Sequence, residues 1–90
     1  MNKLTDQTAL AKVAIRSNYS NIRIDALVKL TDQAVLGEVA RTDKDSQVRW
    51  HAIRHLTDQA VLGKIALKDE DWSVRQAAKE KLAYLREKKN

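Results

Sequence analysis

The tetrapeptide Leu-Thr-Asp-Gln stands at positions 4–7, 30–33 and 56–59, two equal steps of 26 residues. A period of this length restricts a chain to architectures in which each unit is one small motif whose apolar face is buried by its neighbours. The match extends well past the tetrapeptide. Residues 30–55 and 56–81 share Leu-Thr-Asp-Gln-Ala-Val-Leu-Gly, then Ala40 with Ala66, Asp43 with Asp69, Asp45 with Asp71, Val48-Arg49 with Val74-Arg75, and Ala52 with Ala78. Residues 4–29 diverge more but keep Leu10, Val13, Ala14, Arg23 and Ala26 in register, and no gap is needed anywhere.

Within a unit the apolar spacing is helical. Val35, Leu36, Val39 and Ala40 form one stripe, and Val48, Ala52, Ile53 and Leu56 form a second. Between them Arg41-Thr42-Asp43-Lys44-Asp45-Ser46 is polar and rich in turn-forming residues. Proline is absent, only two glycines occur, and good helix formers dominate. The expected helices are 6–15, 32–41 and 58–67 as first members of each hairpin, and 20–29, 46–55 and 72–88 as second members. Thr5, Thr31 and Thr57 are the expected N-caps of the first helices, placing Asp6, Asp32 and Asp58 at the positive end of the helix dipole. Leu30 with Val35, and Leu56 with Val61, have the spacing of a hydrophobic staple. Asp45, Asp71 and, in the first unit, Ser20 are the expected caps of the second helices.

Helices of about ten residues are too short to persist alone, so the units must stack. The fold expected is all-α: a solenoid of three helical hairpins in a single domain, 1–90, with units 4–29, 30–55 and 56–81. Where a fourth tetrapeptide would begin, the chain reads Leu82-Ala83-Tyr84-Leu85-Arg86-Glu87-Lys88. There the last helix continues, giving an extended C-terminal cap over 82–90, with Leu82, Tyr84 or Leu85 able to fold back on the core.

The pattern Asp-x-x-x-x-Val-Arg-x-x-Ala, in Asp43/Val48-Arg49/Ala52 and again in Asp69/Val74-Arg75/Ala78, resembles the signature of HEAT and HEAT-like repeats. The short period lies nearer the leucine-rich repeat variant, a related helical array. The resemblance implies a hydrogen-bonded ladder of Arg23, Asp43, Arg49, Asp69 and Arg75 linking neighbouring units. It allows each Arg to meet an Asp six residues earlier in its own unit or one in an adjacent unit. The first unit departs, with Ser17 at the Asp position, so Arg23 is left to reach Asp43 of the next unit. Such arrays serve as scaffolds in many systems, so the resemblance speaks to fold rather than to ligand.

No constellation for catalysis is present: no cysteine, no Gly-rich phosphate loop and no Gly-x-Ser-x-Gly elbow. The expectation is a protein that is not an enzyme and needs no cofactor, with no small-molecule substrate. His51 and His55 have a chelating i, i+4 spacing, but no third ligand accompanies them, so no metal is expected. No stretch has the apolar length of a membrane span and no signal-peptide pattern opens the chain, which points to a cytoplasmic protein without a membrane partner.

The expected partner-binding face is the outer side of the second helices. If Val48, Ala52 and Leu56 point inward, Trp50 and Arg54 point away, and their equivalents Ile24 and Val28 extend the strip. His51, Arg54, His55 and Lys29 flank it. Exposed apolar residues beside Trp and Arg are a common make-up for interfaces, so a protein partner or self-association is the first expectation. Stacking of Trp50 on Arg54 as a cation–π pair is the simpler alternative for that position. Trp72, beside Asp71, is expected to pack over the hairpin turn.

The formal charge of +5 raises nucleic acid as the alternative, through Lys29, Arg49, Arg54, Lys79, Lys81, Arg86, Lys88 and Lys89. Against it, Asp25, Glu38, Glu70 and Glu80 are scattered among the bases, and the run from Lys79 to Lys89 also reads as a solvated helix end.

Overall fold

The computed structural model describes residues 6–88. They form six α-helices: α1 (Gln7–Arg16), α2 (Ser20–Leu27), α3 (Gln33–Thr42), α4 (Ser46–His55), α5 (Gln59–Lys68) and α6 (Trp72–Lys88). No strand occurs among the described residues. Helices pair in chain order, α1 with α2, α3 with α4 and α5 with α6. The even-numbered helices then pack side by side, α2 on α4 and α4 on α6, while the odd-numbered ones touch more lightly. The result is two layers of helices, with a thinnest dimension of 16 Å that leaves room for one layer on another at ordinary interaxial spacing.

The first helix of each pair begins one residue later than the periodicity predicts, and the cap explains the shift. The Asp6 carboxylate accepts the Thr8 and Ala9 amides, Asp32 accepts those of Ala34 and Val35, and Asp58 that of Val61. The threonines are therefore not the caps at Thr31 and Thr57; Thr5 lies outside the described residues, as do Leu4 and the rest of 1–5. An ionised acceptor at the positive end of the dipole outcompetes a hydroxyl one residue earlier. Leu30 and Leu56 then stand two residues before the cap rather than one, so they do not occupy the staple position. Both are buried all the same.

The glutamine of the tetrapeptide has its own task. Gln7 donates to the Lys29 carbonyl at 3.1 Å and accepts the Thr31 amide at 2.8 Å. Gln33 does the same with the His55 carbonyl at 3.2 Å and the Thr57 amide at 2.7 Å. One side chain thus closes both orphan groups at the junction between units, where helical bonding has ended. At the third position no junction exists, because α6 runs on past Leu82.

Asp45 caps α4 by accepting the Gln47 amide, and Asp71 accepts the Val74 amide and the Ser73 hydroxyl at the start of α6. Ser20 does not cap α2. It is the first helical residue, and the cap position falls on Tyr19, which makes no side-chain cap bond. The core runs through all three hairpins, with Leu27, Leu36, Val48, Ile53, Leu56, Leu62 and Val74 fully buried. Leu82 is buried and Leu85 packs partly against the core, whereas Tyr84 faces out.

Candidate aromatic and cationic groove

Two arginines tie the even-numbered helices to the following loops. Arg23 of α2 donates from Nε and Nη2 to the two carboxylate oxygens of Asp43 at 3.0 and 3.1 Å. Arg49 of α4 does the same to Asp69 at 2.9 and 3.1 Å. In each case Nη1 turns back to a loop carbonyl of its own unit, Ser17 for Arg23 at 2.8 Å and Asp43 for Arg49 at 2.7 Å. The carboxylates also accept the Asp45 and Asp71 amides, closing the turns that lead into the next helices. Every rung joins an arginine to the aspartate of the next unit; the pairing within one unit goes to a backbone carbonyl, not to the carboxylate. The six-residue spacing permits both, and the geometry decides. A flat guanidinium entering between two layers can meet a carboxylate edge-on from the neighbouring layer while its remaining N–H reaches the nearest carbonyl. Arg75 keeps only the second half of this pattern, donating to the Asp69 carbonyl; among the described residues no carboxylate faces it.

The face expected to bind a partner is rearranged. Ile24 and Trp50 are only half-exposed and pack against the core, so the continuous apolar strip predicted from Ile24 through Val28 to Trp50 is absent; Val28 alone of the three is exposed. The cause is stacking. Each even-numbered helix has a neighbour on the same layer, and that neighbour covers part of the side presumed free. Arg54 lies over the Trp50 ring at 5.1 Å, and the His51 ring meets the same indole edge-on with centroids 5.1 Å apart. His51 is half-buried, while Arg54 and His55 are exposed.

What the α4–α6 boundary opens instead is a groove of about 580 Å³. Ile53 and Ala77 line its floor, Trp50 and Arg54 stand on the α4 side, and Trp72, Lys81 and Tyr84 rise from α6. Trp72 does not pack over the hairpin turn. It is 67% exposed, and Tyr84 is 51% exposed. Lys81 Nζ and Lys88 Nζ lie 5.5 and 5.6 Å from the Tyr84 ring, and Lys81 Nζ also donates to the Arg54 carbonyl at 2.8 Å. Glu80 is the one carboxylate in the lining.

Burial, hydrogen bonding and neighbouring charge move two pKa values. The pKa of His55 is held below its ordinary 6.5, first by burial and then by the neighbouring cations Lys81, Arg54 and His51. The Ser73 hydroxyl and then the Val74 amide hold the Asp71 carboxyl below its usual range. A second depression, about 330 Å³, overlies the Arg23–Asp43 rung, but the charged pair at its base is already bonded to itself. Among the described residues no group of three His, Cys, Asp or Glu side chains gathers in a metal-holding cluster, and no helix is long and apolar enough to cross a membrane.

Trp72 and Tyr84 were not legible as groove residues from the sequence. The hint lay in the register: Trp72 occupies the position of Ser20 and Ser46, so the unit does not need a large side chain there. Comparison with family models, with curated proteins and with solved structures finds no match to this chain.

Proposed function

We propose that this chain is a non-catalytic interaction module, a short HEAT-like solenoid that binds a segment of another protein along its second helices. The observation that carries the reading is the pair Trp72 and Tyr84, two exposed aromatics along the α6 side of a groove whose floor is apolar. Aromatic side chains bury large areas at little entropic cost and dominate interface energetics. The repeat gains nothing from Trp72, because serine fills that position in both other units. The array reading is supported by the 26-residue period and by rungs that run from each unit to the next. A cytoplasmic location is part of the proposal. The expected strip of Ile24, Val28, Trp50, His51, Arg54 and His55 contributes only its Trp50–Arg54 end, with α6 supplying the rest.

The test is a selection of short displayed peptides on the wild-type protein, followed by challenge with the double variant Trp72→Ser, Tyr84→Gln. Ligands of the groove should weaken by about tenfold or more on the variant, with its helical circular dichroism unchanged. Peptides that bind both proteins equally would dismiss the groove.

The nucleic-acid reading keeps one favourable observation, the cations set against aromatic rings. Of its basic residues, however, Arg49 is engaged with Asp69 and Glu80 faces the groove; Lys89 lies outside the described residues. A labelled oligonucleotide titrated at two salt concentrations would show a steep fall in affinity with salt if phosphates were contacted.

A further inference from the structure

Resting on the reading of the groove as an interface, we infer that its occupant is an acidic peptide segment bearing an apolar side chain. The two halves of the site ask for different chemistry. Trp72, Tyr84 and the floor residues Ile53 and Ala77 form an apolar seat running along α6, about 18 Å from Trp72 to Tyr84 by helical rise, in which an aliphatic or aromatic side chain of an extended segment would lie. Arg54 and Lys81 line that seat, and Lys88 stands against the Tyr84 ring at its distal end; none of the three takes part in a salt bridge among the described residues. Arg23 and Arg49 are neutralised in the rungs, whereas Arg54 and Lys81 in the groove are opposed only by Glu80. Beside this site, burial and then the charges of Lys81 and Arg54 hold the His55 pKa down.

Carboxylates flanking an apolar anchor meet these cations without displacing any existing ion pair. Two or three acids suffice. Glu80 opposes either anion, but a nucleic-acid strand would need a longer row of phosphate contacts than the few cations beside Trp50 and Tyr84 supply. Carboxylate chemistry fits three cations around one apolar seat better than a polyphosphate does.

The experiment uses three fluorescent probes: a peptide with Glu and Asp flanking a central Leu, its Gln and Asn counterpart, and oligothymidylate. Each is titrated by anisotropy against the wild type, Trp72→Ser and Arg54→Gln at about 50 mM and about 200 mM salt, where screening lengths differ by about twofold. The acidic peptide should bind about tenfold tighter than its amide counterpart at the lower salt, and the advantage should shrink at the higher. Trp72→Ser should weaken both peptides, whereas Arg54→Gln should weaken only the acidic one. Equal binding of the two peptides, still lost in Trp72→Ser, overturns the acidic preference and leaves the groove reading intact. Absence of peptide binding to the wild type overturns both. Oligothymidylate binding tighter than the acidic peptide, and lost in Trp72→Ser, replaces a peptide with a phosphate ligand.

Discussion

The first hairpin and the second are built to the same register, yet water treats them differently. Val13 and Ile22 are 40% and 41% exposed, whereas their counterparts Val39 and Val48 are 2% and 0% exposed. Nothing in the side chains accounts for this. Val39 and Val48 are covered because α1 and α2 lie over them; no described helix lies over Val13 and Ile22. Burial in this chain is therefore conferred by the preceding neighbour, so stability belongs to the contacts between units as much as to the units themselves. The ladder says the same in polar terms, since Arg49 has a carboxylate from the following unit and Arg75 has none among the described residues.

The largest expected effect separates those two arginines. Arg49→Gln leaves the buried Asp69 carboxylate without its partner and should cost about 3–5 kcal/mol, a large share of what a small domain has. Arg75→Gln forfeits one bond to a carbonyl and should cost about 1 kcal/mol. Urea denaturation midpoints at constant slope decide the matter; equal losses would mean that the rungs do not couple the units.

Next comes the same residue type at the same register. Val39→Ala should destabilise by about 2 kcal/mol and Val13→Ala by well under half of that, because the latter removes methyl groups already half in water. Comparable losses would show that Val13 is covered in solution.

A gain is expected from Gly63→Ala. The first unit has Ala11 at that register, and a methyl group at Gly63 meets no heavy atom within 4 Å, so helix propensity alone should add about 1 kcal/mol. At Gly37 the same methyl would sit 3.8 Å from Leu56 and 3.9 Å from Val61, ordinary contact distances. Thermal denaturation of the two alanine variants would tell whether the α3–α5 contact yields more than propensity.

The smallest effect concerns pH. His55 stands one unit before Lys81 in register, and its folded pKa lies below 6.5. Protonation is therefore harder in the folded chain than in the unfolded one. The contribution is complete above 6.5 and is lost as pH falls from there through the folded midpoint. An NMR titration should place the His55 midpoint below 6.5, and Lys81→Gln should move it upward while flattening the pH dependence of stability.

Six helices were legible in the sequence, because a 26-residue period repeats the apolar stripes; the ladder residues followed from the resemblance to HEAT-like repeats, which also named Arg75, an arginine that meets a carbonyl and no carboxylate among the described residues. The direction of the rungs was not legible. Asp43 is as far from Arg49 in sequence as Asp69 is from Arg75, and only the stacking of layers shows that Arg49 reaches forward. The caps were ambiguous by one residue, since Thr31 and Asp32 are both good cap formers and the charge decides between them. The groove was the least legible. Seeing Trp50 as half-covered and Trp72 as exposed requires knowing how closely α6 lies along α4, which no single-helix periodicity encodes.

The Gln33 bracket and the forward reach of Arg49 have a consequence for how such a chain can change length. Residues 30–55 carry a donor for the aspartate ahead, an acceptor for the arginine behind and the glutamine that seals the following seam. A duplicate of that stretch inserted after His55 would find every complementary group already in place on both sides. Lengthening needs no new recognition chemistry, only copying.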